Sequence, residues 1–203
     1  MRQSITHAQQ NAETRRRLLT SARRMFLRKG FHAASLADVA KDAGYTKGAV
    51  FSQFESKADL FLALLEERSG ERLARLEALR FERLTAASLV RWLAADWRDN
   101  ISADRAWTLL VIEFRVYAAR NASAGRRYAA LHERTCARIA ELYRGILGDA
   151  GLEAVLDLDT LARAGLAVSA GVLLEQAAQP DLDASAIVDA FGRAMFRRER
   201  RIR

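Results

Sequence analysis

The sequence predicts an all-α protein of about nine helices. A small N-terminal domain of three helices is expected over residues 1–55, and a larger helical domain over residues 56–203. Three observations predict this. The chain of 203 residues is half apolar with one Pro and 11 Gly, the composition of a helix-rich globular protein. Apolar residues recur at helical spacing along nearly the whole length, and glycines or cap residues separate the runs. One stretch, Ser35–Phe54, reads as two short helices on a tight turn.

The first helix is expected from about Gln10 to Lys29, after a polar arm over residues 1–10. Leu18, Ala22, Met25 and Phe26 form its apolar stripe. Arg15, Arg16 and Arg17 lie near its start, where cations oppose the helix dipole, so contact with phosphate explains them better than helix stability does. Gly30 ends the helix and Phe31 packs back across it. Ser35 caps the second helix, with Asp38 placed as its capping-box partner. Leu36, Val39, Ala40 and Ala43 give its apolar face, and Gly44 supplies the left-handed stop. Thr46 caps the third helix. Ala40, Gly44 and Val50 then stand at the spacing that lets two helices approach, turn and share a core, and the second helix of such a pair enters a DNA major groove. Ser56 caps a fourth, long helix running towards Arg80, with Asp59 as its box partner. Lys57 in its first turn, beside free N–H groups, suits a phosphate.

Charge agrees with this reading. Basic residues outnumber acidic ones by 33 to 25, and 11 basic against five acidic residues fall in the first 60 positions. The isoelectric point near 10.3 suits a polyanion. A single Cys excludes an internal disulfide and fits a reducing compartment. The N-terminus shows no secretory signal, and the charge-free run Ala164–Leu174 is too short to span a bilayer. A cytoplasmic protein with no membrane partner is expected.

Residues 31–65, FHAASLADVAKDAGYTKGAVFSQFESKADLFLALL, resemble the N-terminal domain of the tetracycline-repressor (TetR/AcrR) family. Gly30-Phe31, the Val39-Ala40 and Ala43-Gly44 pairs, Lys47-Gly48, Phe54 and Ser56-Lys57 followed by Leu60 carry the resemblance. It implies a homodimeric transcription regulator, usually a repressor released from a double-stranded DNA operator by a small effector. Carried over by position, the DNA contacts are Ser35, Tyr45, Thr46, Lys47, Gly48, Phe51, Ser52 and Lys57. Phe51 departs from the family's usual Tyr and lacks its hydroxyl, but it can still meet a thymine methyl or a sugar. Ser52 and Gln53 also depart from the usual His or Tyr, so an operator preference does not carry over.

Three further helices are expected over Leu84–Ile101, Asp104–Arg120 and Ala122–Asp149. They hold all three Trp and three of the four Tyr. Plain core packing explains such stripes, and so does an apolar ligand pocket. Trp97, Trp107, Glu113, Phe114, Tyr117 and Cys136 are the pocket candidates. Glu113 beside aromatic rings suits a cationic ligand, and equally a solvent-facing position. His132 and Cys136 stand one turn apart without a second pair, so no metal and no cofactor are expected. Leu158–Gln179 is apolar nearly all round, and a last helix starts at Asp183 or Ser185. Leu161, Gly165, Val168, Val172, Ile187, Phe191 and Met195 are the expected seam of an isologous homodimer. The terminal FRRERRIR reads as a solvated tail.

No nucleophile motif, phosphate loop or metal set marks an enzyme. The first helix has too few large apolar residues beyond its core stripe for a membrane-surface binder. A ligand-responsive repressor is therefore expected, with a ligand-independent regulator or an activator of the same fold as the alternative.

Overall fold

The structure is a computed structural model, which describes residues 7–79, 84–102 and 104–198. The described residues are helical apart from short connections and a two-stranded ribbon. In order they form α1 (His7–Ala33), α2 (Leu36–Ala43), α3 (Lys47–Phe51), α4 (Lys57–Ala78), α5 (Ala86–Asp96), α6 (Arg105–Arg120), α7 (Ala122–Ala150), β1 (Leu152–Ala154), α8 (Leu158–Ala178), α9 (Ala184–Met195) and β2 (Phe196–Arg198). A π-helical stretch, Trp97–Ser102, continues α5, so the single helix expected there changes its winding midway. The expected arm over residues 1–10 lies mostly outside the described residues. Among them no helix is long and apolar enough to cross a membrane.

The chain forms two compact units. The first runs through Arg68 and takes in Glu113–Tyr128. Its core comes from the stripes seen in the sequence. Leu18, Ala22, Met25 and Phe26 of α1, Val39 and Ala40 of α2, Val50 of α3, and Leu60, Phe61 and Leu64 of α4 are all buried. Burying each large side chain contributes about 1.5–3 kcal/mol. Phe31 stands at the centre of an aromatic cluster, with ring centroids 5.4 Å from Phe61, 5.1 Å from Phe114 and 4.9 Å from Tyr117. Gly30 makes this possible. Its φ of 76° breaks α1 one turn before the end and swings Phe31 inward.

The second unit is Ser69–Ile112 with the chain from Ala129 onward. Leu76, Leu89, Val90, Cys136, Ile139, Leu142, Ile146 and Leu161 share one core. Trp97 centres a smaller one with Val172, Leu173 and Ala184. The start of the terminal Arg-rich segment is not a solvated tail. Phe196–Arg198 pairs antiparallel with Leu152–Ala154, and Arg197 meets Glu153 at 2.7 Å. Phe196 is what holds it there. Its ring is buried and lies edge-on to Tyr143 at 5.9 Å. An apolar residue ahead of a charged run anchors the segment.

Candidate nucleic-acid interface

The turn and α3 are built by caps on both sides. Ser35 Oγ accepts the Asp38 N–H at 3.1 Å, and the Asp38 carboxylate accepts the Ser35 N–H at 3.0 Å. Lys29 reaches the other oxygen of Asp38 at 2.8 Å. That ammonium first, then the Ser35 groups, hold the Asp38 carboxyl down at about 2. At the other end of α2, Gly44 sits at φ 73°, and its N–H returns to the Ala40 and Lys41 carbonyls. Thr46 Oγ1 then accepts the Ala49 N–H at 3.2 Å and starts α3. A five-residue helix is unstable alone, so its neighbours must hold it. Val50 is fully buried and Phe54 nearly so. The Arg15 guanidinium lies 4.5 Å over the Phe54 ring and donates to the Gln53 carbonyl at 3.3 Å.

Polar contacts fix α1 against α2. The Ser21 hydroxyl, wholly buried, lies 2.6 Å from the Asp42 carboxylate, which also meets Arg24 at 2.6 Å. Both hydrogen bonds, Ser21 first, lower the Asp42 carboxyl from its ordinary value. Arg16 and Arg17 both grip Glu13, at 2.8 and 2.7 Å. Arg15 therefore acts as a brace, while Arg16 and Arg17 keep most of their length in solvent.

With Val50 and Phe54 turned inward, the opposite edge of α3 is open. Ser35, Thr46, Lys47, Gly48, Phe51 and Ser52 are exposed, and Tyr45 is half-buried. Phe51 is 49% exposed, with the Lys47 ammonium 5.6 Å from its ring centre. Tyr45 to Ser52 occupy one short turn–helix segment, and Ser35 stands at the start of α2. Lys57 is placed differently. Its ammonium donates to the carbonyls of His32 at 2.8 Å and Ala34 at 3.0 Å, and it lies 4.8 Å from the Phe31 ring centre. Burial lowers its pKa. Two of its three donors thus tie down the chain between α1 and α2, a role the sequence reading did not assign.

The pocket candidates fall in separate surroundings. Glu113, Phe114 and Tyr117 belong to the first unit. Glu113 is half-buried. Its carboxylate accepts the Phe31 N–H at 2.8 Å, at the break in α1. A Cβ on Gly30 would stand 3.0 Å from that same oxygen, so glycine is needed there for space as well as for φ. Phe114 is wholly buried against Phe61, at 4.5 Å between ring centres. Trp97, Trp107 and Cys136 belong to the second unit, where all three are buried and Cys136 lies inside the main core. Its sulfur is 3.7 Å from His132 Nε2. Among the described residues, no three His, Cys, Asp or Glu side chains gather in the way a metal ion needs.

The expected dimer residues also divide. Leu161 and Val172 are buried inside their own unit, while Phe191 and Met195 pack partly buried on its main core. Gly165 and Val168 are half-buried, and Ile187 is 41% exposed. Beside them stand exposed small and apolar residues: Ala167, Gly171 and Leu174 on α8, and Ala190 and Ala194 in line with Ile187 on α9. Spacings of three and four residues place each row on one helix face.

Residues 18–64 match the model of the bacterial regulatory proteins of the tetR family. The HTH-type transcriptional repressor BepR of Brucella suis biovar 1 is 36% identical over 72 residues. The match spans 35% of this chain and only about a third of that protein, 34%. Two solved structures are similar over most of their length. The transcriptional regulator FadR from Bacillus subtilis, in complex with stearoyl-CoA, superposes with a TM-score of 0.67 at 16% identity, over 87% of this chain and 95% of that one. A TetR transcription regulator from Haloarcula marismortui gives 0.68 at 14% identity, over 92% and 100%. At such identities the likeness is one of fold. The motif residues and the matched segment agree: residues 18–64 match the tetR family of bacterial regulatory proteins, and the solved structures share the fold of most of the chain.

Proposed function

We propose that the chain is a DNA-binding transcription regulator that acts as a homodimer on a palindromic operator and is released by a small effector. The observation that carries this is the two-sided character of α3. One edge is locked into the core through Val50 and Phe54, and the other presents Lys47, Gly48, Phe51 and Ser52 to solvent. A helix held this rigidly can enter a major groove at small cost in ordering. Gly48 lets the backbone come close to the DNA, Lys47 supplies charge, and Phe51 offers an apolar face to a thymine methyl or sugar. Tyr45, Thr46 and Ser52 would meet bases or sugar edges, and Ser35 and Lys57 would add contacts to phosphate.

Two copies would place their α3 helices in successive major grooves, about 34–36 Å apart. The exposed rows on α8 and α9 support a self-complementary seam, since small residues let helices approach closely. An effector would act by binding one arrangement of the dimer more tightly than the other. The FadR complex with stearoyl-CoA supports a small-molecule effector for this fold.

Genomic footprinting followed by fluorescence anisotropy on the recovered duplex tests the reading. Saturable binding at modest salt, lost in a variant with Lys47 and Phe51 both changed to Ala, is the expected result. Absence of binding to any duplex would overturn it.

A further inference from the structure

In an unbroken helix the Phe31 N–H would bond to the Leu27 carbonyl four residues back. The backbone of Gly30, at φ 76° and ψ 167°, turns that N–H out of α1. Phe31 is 1% exposed, so an N–H there without an acceptor would destabilise the fold. Glu113 of α6 supplies the acceptor, with Oε2 2.8 Å from the nitrogen. Its carboxylate sits against the bare Cα of Gly30, where a Cβ would stand 3.0 Å from Oε2 and 3.3 Å from Oε1. The same segment is held from its carbonyl side. Ala34 donates to the Gly30 carbonyl at 3.3 Å, and the Lys57 ammonium takes the carbonyls of His32 and Ala34. Ser35, the cap of α2, follows at once, and α2 leads through Gly44 into α3. All of these residues belong to the first unit.

We infer that Glu113 is a positioning residue for DNA binding: it holds the break in α1 open and so sets the direction in which the chain enters α2 and α3. The inference rests on the proposed reading of the chain as a DNA-binding regulator. Glycine permits a φ of 76° but adopts the helical region as readily. A continued helix would return the Phe31 N–H to Leu27, so two arrangements compete, and the carboxylate favours the broken one. An ionised acceptor makes the stronger bond of this kind. In the broken arrangement the Phe31 ring lies among Phe61, Phe114 and Tyr117, and α2 starts from a fixed point. A binding edge has to be held within about 0.5 Å by contacts behind it, and those contacts need not touch the ligand. Glu113 acts on the exposed edge of α3 in this way, through residues 30–35.

The test uses the full chain and the duplex recovered by footprinting, with binding read by anisotropy at a temperature where circular dichroism shows each variant folded. Glu113→Ala should weaken operator binding by about ten-fold or more, the scale of one lost buried hydrogen bond. Glu113→Gln keeps a carbonyl oxygen in place and should stay within about three-fold of the native chain. Leu64→Val trims the same core away from the break. It should lower the unfolding midpoint yet bind like the native chain. By reciprocity, the operator should slow hydrogen exchange at the Phe31 amide of the native chain by about five-fold or more beyond any change at the Leu64 amide. That measurement needs no variant, so it decides the case if Glu113→Ala does not fold. Native affinity in folded Glu113→Ala, an equal loss in Leu64→Val, or Glu113→Gln as weak as Glu113→Ala would each overturn the inference. So would Phe31 exchange that the operator slows no more than it slows Leu64. A native chain that binds no duplex overturns the regulator reading and takes the inference with it, a result seen before any variant is made.

Discussion

The Lys57 ammonium donates to two carbonyls, His32 and Ala34, that lie where α1 gives way to α2. A charge-assisted bond contributes about 1.5–3 kcal/mol, and here water can replace the exposed one to His32, so the pair together is worth little more than a single bond. Lys57→Met keeps the stem against Phe31 and removes the donors. It should lower unfolding stability in urea by about 1–3 kcal/mol with no DNA present. A phosphate contact alone predicts no such loss, so the urea midpoint separates the two roles of this lysine. Phe51 is the opposite case. Half of it is in solvent, so Phe51→Ala should leave stability within about 0.5 kcal/mol. Its effect belongs in operator affinity and base preference, read by anisotropy on duplexes with single thymine replacements. Lys47→Ala should weaken binding to all sequences and reduce the salt slope by about one.

At the scale of the element, α2 and α3 were legible in the sequence because their ends are local. Ser35 with Asp38, Gly44, and Thr46 with Ala49 all act within four residues, and each is found as the spacing indicates. The role of Glu113 was not legible. Its partner Phe31 lies 82 residues away, and no local pattern distinguishes a carboxylate that accepts a distant backbone N–H from one in solvent. The same holds for Arg15 over Phe54 and for the β1–β2 ribbon, whose two strands are separated in the chain by α8 and α9. The seam is not fixed by the sequence, because α8 is apolar on every side. Periodicity there does not tell the face that meets its own core from the face that is open, and only burial does. The capping box yields a pH prediction. The Asp38 carboxyl falls from an ordinary 3.8 to about 2 on folding, so it stabilises the folded state above 3.8. That contribution is lost as pH falls from there towards 2. Asp38→Asn should be less stable than the native chain at pH 6, with the gap closing over that acid window. Circular dichroism at 222 nm during urea unfolding at several pH values measures it.

For the whole molecule, the decisive question is whether one chain or two hold the DNA. A five-residue recognition helix touches few bases, so a single copy would bind DNA weakly and with little selectivity. Pairing two copies makes the second contact effectively intramolecular and raises affinity steeply. The seam can be tested without harming the fold, because the residues to change are those already in solvent. Leu174 is 50% exposed and Ile187 is 41% exposed, so neither supports its own core. Phe191 is a poor choice for this purpose, since it packs on that core and an arginine there would unfold the unit. Leu174→Arg combined with Ile187→Arg puts two like charges opposite their symmetry mates across an isologous contact. Sedimentation velocity should then show a dimer for the native chain and a monomer for the variant. Thermal unfolding measured at low protein concentration should be nearly unchanged. Operator affinity should fall by about a hundred-fold or more, on the scale of a lost second site. A doubly substituted chain that remains dimeric would move the seam away from α8 and α9. One that is monomeric yet binds the full operator undiminished would show that each recognition helix acts alone.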